Sequence, residues 1–233
     1  MPDEPPDEPT DEPSDEPSDA PSDAPGDATG REVPMFPLGR VLFPRAVLPL
    51  QVFEPRYRAL VAHCLTAEVP FGVVLIERGH EVGGGDTRFP VGTLARIVQA
   101  AETPDGRWAV VAVGTERVRV VEWLPDRPFP RAVVAPRPER PPARDAAAAV
   151  ASARAALVRV HALRAELGLP APPGDVLVGT DVAEAAWEAS ILAPVGPLDA
   201  YALLDLDDPV DRLERVTALL EDEIAVLQFR LSG

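Results

Sequence analysis

The sequence predicts an α+β protein, a small barrel built from a curved sheet followed by a bundle of helices, and three features predict it. Met35 to Arg58, MFPLGRVLFPRAVLPLQVFEPRYR, packs apolar residues between Pro37, Pro44 and Pro49 and closes on an aromatic and charged corner. Between residues 71 and 135, short β-branched runs alternate with turns that carry glycine and proline. From Asp145 onward the composition changes to alanine, leucine and arginine at helical spacing. Strand signals first and helix signals after are those of a sheet joined to a helical unit.

Proline gives a ladder no N–H and fixes φ, so a strand through the first stretch must run along a sheet edge or break into pieces. Two short strands, Val33 to Phe36 and Val47 to Phe53, are the expected result. Pro55 suits the first turn of a helix, and Tyr57, Leu60, Val61 and Cys64 then share one face, which predicts a helix from Pro55 to Thr66. Phe71 to Ile76 is a nearly unbroken apolar run, the pattern of a strand covered on both faces. Arg78 to Arg88 holds three successive glycines and reads as a loop. A glycine run that enters a helix can cradle phosphate, but this one enters the alternating Val91 to Val98, so a phosphate site is rejected.

Val91 to Ala101, the turn Thr103-Pro104-Asp105-Gly106 and Arg107 to Val113 read as a hairpin. Gly114-Thr115-Glu116 is expected to interrupt the sheet, and Arg117 to Trp123 to form a further strand. Arg131 to Ala135 is the last one before Pro136, Pro138, Pro141 and Pro142. About six short strands and one early helix suggest a mostly antiparallel sheet closed into a small barrel.

The helical part starts with Ala147 to Leu167, stopped by Gly168 and Pro170. Thr180 or Asp181 can cap a second helix that runs to Pro194, and Pro197 to Leu204 is a short third. Asp208-Pro209 sets an N-cap and a first-turn proline for a long amphipathic helix with Leu213, Val216, Leu220, Ile224, Leu227 and Leu231 on one side.

The matching pieces FPLGRVLFPRAVLPLQVFEPRYRAL (36–60), FGVVLIERGHEVGG (71–84), VGTLARIVQ (91–99), DGRW (105–108) and VGTERVRVVE (113–122) together resemble the Lon substrate-binding domain, also called the Lon N-terminal domain. The resemblance runs from about Val33 to the C-terminus and is nearest to the small stand-alone members of the family. It implies a PUA-like β pseudo-barrel, a helical half and the recognition of polypeptide substrates. The expected division is an acidic tail over 1–30, a β domain over 31–138 and a helical domain over 139–233.

Composition limits the chemistry further. All 22 Lys+Arg residues are arginine, so the chain has no lysine for a P-loop, a Ser-Lys dyad or a Schiff base. Full-length Lon proteases join this domain to an ATPase and a Ser-Lys peptidase, and the resemblance therefore implies recognition without an engine. His63, His80 and His161 have no partner at metal-ligand spacing, and no Gly-x-Ser-x-Gly elbow occurs. A non-enzymatic protein that needs no cofactor is expected.

Residues 1–30 hold eleven acids and no base in a repeat like DEPSDEPSDAP. Of the net charge of −16, −11 belongs to that segment, which leaves −5 for residues 31–233. Such a segment reads as a solvated, self-repelling extension, and a docking role would call for basic partners. Nothing in its spacing selects one. RNA binding, as PUA-like folds elsewhere perform, is the alternative function, but a phosphate-binding surface needs clustered positive charge that a net −5 does not promise.

No apolar run approaches the ~20 residues of a membrane span. The acidic start is the reverse of a secretion signal, and Cys64 is the single cysteine, so a cytoplasmic protein is expected.

The candidate polypeptide-binding residues are Phe53, Arg56, Tyr57, Arg58 and Arg96, with Arg117 and Arg119 also on the sheet. One reading has Glu54 and the arginines pairing locally to order the corner while Tyr57 packs beneath. The other has the arginines rim an apolar groove, near a cleft between the β and helical halves, that accepts unfolded or peptide segments of other proteins.

Overall fold

A computed structural model describes residues 30–78, 87–172, 179 and 181–232. The acidic tail expected over 1–30, the glycine loop with His80, and the Thr180 cap lie outside the described residues, apart from Gly30 and the loop's flanks. The strands are β1 (Arg31–Leu38), β2 (Val47–Val52), β3 (Phe71–Arg78), β4 (Thr87–Glu102), β5 (Trp108–Leu124) and β6 (Arg131–Pro136). Helix α1 (Pro55–Ala67) lies between β2 and β3, and α2 (Ala147–Glu166), α3 (Val182–Leu192), α4 (Pro197–Asp205) and α5 (Pro209–Ser232) follow the sheet.

The strand order is β2-β5-β4-β3-β1-β6, and β6 pairs back onto β5, so five strands close a ring and β2 hangs outside it. Among the described strands only the β1–β3 pair is parallel. Closure removes most of the open edges that a sheet of this size would otherwise present.

The first strand is longer than expected and tolerates its prolines in an unanticipated way. Residues 31–34 pair with β6, then the strand changes partner and Met35–Leu38 pair with β3. Pro34 and Pro37 thus each face a paired neighbour on one side only, where a missing N–H costs no ladder bond. Pro49 sits on the outer edge of β2, and Arg40 Nη2 donates to its carbonyl at 3.1 Å, which blunts that edge.

The expected break at Gly114 does not occur. β5 runs straight through it, pairing with β2 before this point and with β6 after it. The loop at 43–46 crosses here: Gly114 N donates to Ala46 O at 2.9 Å and Arg45 N donates to Gly114 O at 2.8 Å. A Cβ on Gly114 would stand 2.3 Å from Phe43 O, so the glycine serves close approach and not a chain break.

Helix α1 buries Tyr57, Leu60, Val61 and Cys64 against the sheet, the face that the sequence periodicity defines. Tyr57 stacks on Phe36 with ring centroids 4.1 Å apart and planes 9° from parallel. Val33, Met35, Val74, Leu94, Val118, Ala132 and Val134 fill a second cluster. A third is built on the helices and takes in Phe43 and Val91, so the two halves share a buried surface.

In the helical half, Asp181 Oδ1 accepts from Glu184 N at 2.9 Å and Asp208 Oδ1 from Val210 N at 2.7 Å, the side-chain caps that the sequence suggests. Leu213, Val216, Leu220, Ile224 and Leu227 are buried along α5, whereas Leu231 near its end is 38% exposed. No helix among the described residues is long and apolar enough to cross a membrane.

Candidate functional site

The corner at 53–58 is ordered locally. Arg56 Nε donates to Glu54 Oε2 at 3.0 Å, and the Arg56 guanidinium lies 4.5 Å from the centre of the Tyr57 ring. Phe53 is 56% exposed and shares with Glu54, Tyr57 and Leu50 a small pocket of about 110 Å³. The structure therefore brings Phe53, Arg56 and Tyr57 together. Arg58 turns away, its Nη2 2.5 Å from where a Cβ on Gly106 of the β4–β5 turn would sit. Arg96 is exposed on β4 between Ala95 and Ile97, which pack in the α1 cluster, and strand alternation sends it to the other face. Arg119 is exposed and Arg117 is buried.

Arg117 belongs to a charged cluster that fills the junction between sheet and helices. It donates to Leu204 O at 2.9 Å and Leu206 O at 2.8 Å, and pairs with Glu139 at 3.1 Å and Asp207 at 3.2 Å. Arg212, fully buried, grips both Glu139 oxygens at 2.9 and 3.0 Å, and its guanidinium carbon lies over Trp187, 3.5 Å from the ring centre. Arg137 holds Asp207 at 2.8 Å and also pairs with Asp205. Three guanidinium groups thus meet three carboxylates. Burial pulls the Arg117 and Arg212 pKa values down, opposed by their carboxylate partners. Burial pushes the Asp207 pKa up, but the hydrogen bond and charge of Arg137 and the charge of Arg117 outweigh it, so the carboxyl sits below its usual value. The pocket left beside this cluster is about 220 Å³.

A larger pocket, about 600 Å³, opens elsewhere, between the start of β1, the second half of α1 and the β5–β6 loop. Val33 and Phe129, both buried, with Ala59 and Val69, give it apolar walls. His63 stands at its side with its ring 5.4 Å from that of Phe129. Arg31, Arg127 and Arg131 stand around it. Arg31 pairs with Glu116 at 2.5 Å and Arg131 with Glu32 at 2.5 Å, both exposed pairs of the weak kind.

Sequence reasoning does not find this pocket, because it is assembled from segments far apart in the chain. The available hint is Phe129, an aromatic between Pro128 and Pro130 in a loop, where an apolar ring needs a tertiary reason to be.

Among the described residues, Cys64, His161 and Ser190 have structural settings. Burial raises the Cys64 thiol to about 12. His161 Nε2 lies 3.0 Å from Leu192 O, and burial lowers its pKa against that contact. Ser190 donates to Ala186 O at 2.8 Å. Among the described residues no group of three or more His, Cys, Asp and Glu is placed to hold a metal ion.

A closed β ring with a helix on one side and a helical half on the other defines a class of domain, and comparison with known proteins agrees. A family model described as the ATP-dependent protease La (LON) substrate-binding domain matches residues 32–222. The chain belongs to that family. It is 28% identical over 206 residues to Lon protease 2 of Herpetosiphon aurantiacus, covering 86% of this chain and 25% of that protein. With Lon protease of Phenylobacterium zucineum it shares 29% over 202 residues, 84% of this chain and 25% of the relative. The chain thus spans about a quarter of the length of these curated relatives.

Among solved structures, the crystal structure of the Lon N-terminal domain protein from Xanthomonas campestris is 28% identical, with a TM-score of 0.57 over 81% of this chain and 98% of that one. The N-terminal domain of Mycobacterium avium complex Lon protease has the same TM-score, 0.57, at 18% identity over 82% of this chain and 99% of that one, a likeness of fold alone.

Proposed function

We propose that this chain is a non-catalytic polypeptide-binding protein of the cytoplasm, which holds unfolded or extended segments of other proteins in the service of protein quality control. The observation that carries the reading is the match of residues 32–222 to a domain described as substrate-binding. The pocket of about 600 Å³ suits such a role, since apolar walls accommodate many side chains, and arginines at the rim donate to carbonyls and carboxylates without demanding one sequence. Phe53, with Tyr57 beneath the Arg56 guanidinium, is a second contact at the α1 corner. Arg58 and Arg96 point to other surfaces and would touch a client only if it wrapped around the barrel. The absence of lysine from all 233 residues supports binding without Ser-Lys peptidase chemistry.

The test is a titration of the full chain against a fluorescently labelled, carboxymethylated protein that cannot fold, with the mixture then run on a denaturing gel. Saturable binding in the micromolar range with the client intact is the expected result. No binding at that concentration, or cleavage of the client by chain of proven purity, overturns the reading.

A further inference from the structure

The same pocket lies where residues 1–29 join the fold. Gly30 is pinned beside β6, with Val133 Cγ1 only 2.4 Å from where a Cβ would be, and Arg31, the next residue, already lines the pocket. The chain therefore enters the structure at the pocket's mouth.

The chemistry of the two surfaces is complementary. Counting Glu32 and Glu116, which hold Arg131 and Arg31, the rim keeps one guanidinium in excess, that of Arg127, which is exposed. Exposed ion pairs contribute little, and each guanidinium retains further N–H donors, so Arg31 and Arg131 can also donate to an incoming carboxylate. Residues 1–29 contain eleven acids and no base. From Pro5 to Pro25 a proline recurs every fourth residue, each with an aspartate two positions before it, as in Asp19-Ala20-Pro21 and Asp23-Ala24-Pro25. Proline rings suit walls made of aromatic and proline side chains, and Phe129, His63, Pro34, Pro70 and Pro128 supply such walls here.

We propose that residues 1–29 dock on this pocket, their prolines against the Phe129–His63 wall and their aspartates on Arg127, Arg131 and Arg31, so that the chain's own N-terminal segment competes with clients for the site. The competition rests on the function proposed above; the docking itself does not. Reach is sufficient: Pro25 is six residues from Arg31, a span of up to ~20 Å at ~3.3 Å per residue, enough to reverse direction and return.

The test uses the full chain with Ser22→Cys carrying a spin label. Cys64 is buried with its thiol near 12, so the label goes to the introduced cysteine. The amide NMR signals of residues 59–63, Val69, Arg127, Phe129 and Arg131 are expected to lose intensity beyond the rest of the surface. That loss should disappear in about 1 M NaCl, where the screening length is about 3 Å, and in the Arg127→Glu chain. Broadening spread evenly over the surface, or centred away from the pocket, overturns the proposal. So does localised broadening that survives both salt and Arg127→Glu. A chain that binds the unfolded client yet shows no localised broadening refutes this inference alone. Localised broadening without client binding refutes the function and leaves the docking.

Discussion

Arg212 grips both carboxylate oxygens of Glu139 at 2.9 and 3.0 Å from a fully buried position on α5, with the Trp187 ring centre 3.5 Å from its guanidinium carbon. Glu139 also pairs with Arg117 of β5 at 3.1 Å, so one carboxylate joins the sheet to the last helix. Removing it would leave the buried Arg212 guanidinium with backbone carbonyls alone, while Arg117 keeps Asp207. Glu139→Ala is expected to lower stability by about 3–5 kcal/mol, the usual cost of breaking a buried pair from one side. Urea unfolding checks this, with the midpoint falling and the slope unchanged. Arg212→Lys should also destabilise, because an ammonium cannot hold two oxygens while lying over an indole.

Cys64 supplies an alkaline prediction. Burial raises its thiol from 9.0 to about 12, so the folded chain keeps the proton that the unfolded chain releases first. Its contribution to stability is therefore fully present below pH 9 and is lost as pH rises toward 12. Tyr201, also raised by burial, acts in the same direction. Cys64→Ala should flatten the decline of stability measured across this range. Iodoacetamide at about pH 8, below the ordinary thiol range, should leave the native chain unmodified and label it in denaturant.

His161 makes the acid-side counterpart. Burial lowers its pKa, although the Leu192 carbonyl favours the charged form. The unfolded chain thus takes up the proton first, and the stability present above the ordinary pKa of about 6.5 is lost as pH falls below it. His161→Gln, which keeps a donor for Leu192 O, should remove part of the pH dependence of the melting temperature between about pH 7 and pH 5.

Gly114 separates a steric requirement from mere glycine content. Gly114→Ala places a Cβ 2.3 Å from Phe43 O, a backbone atom that cannot swing aside, and should cost about 1–3 kcal/mol in thermal unfolding. Gly196→Ala meets nothing within 4 Å at a φ of −73° and should cost only what a helix N-cap loses on going from glycine to alanine, less than about 1 kcal/mol.

Legibility in the sequence follows the range of the interactions. The buried face of α1, Tyr57 to Cys64, and the α5 stripe from Leu213 to Leu227 are readable because a helix repeats its burial every three or four residues. The change of partner along β1 is not, since which neighbour stands beside Pro34 or Pro37 depends on β6 and β3, distant in the chain. Gly114 reads as a break because the reason for it, the crossing of Phe43, lies far earlier in the chain. Arg117 reads as a surface residue because Glu139 and Asp207 come from different elements. Of the proposed client contacts, Phe53, Arg56 and Tyr57 are readable as one corner, whereas the pocket around Phe129 depends on three segments meeting.

The most direct test of client binding at that pocket is a map of amide chemical shifts in the full chain as an unfolded, carboxymethylated protein is added. Binding there predicts shifts concentrated at Ala59, His63, Val69, Arg127 and Phe129, reduced by the exposed-site change Val69→Asp. Shifts confined to the Arg117–Glu139 junction or to α5, with the Phe129 region unmoved, would contradict it.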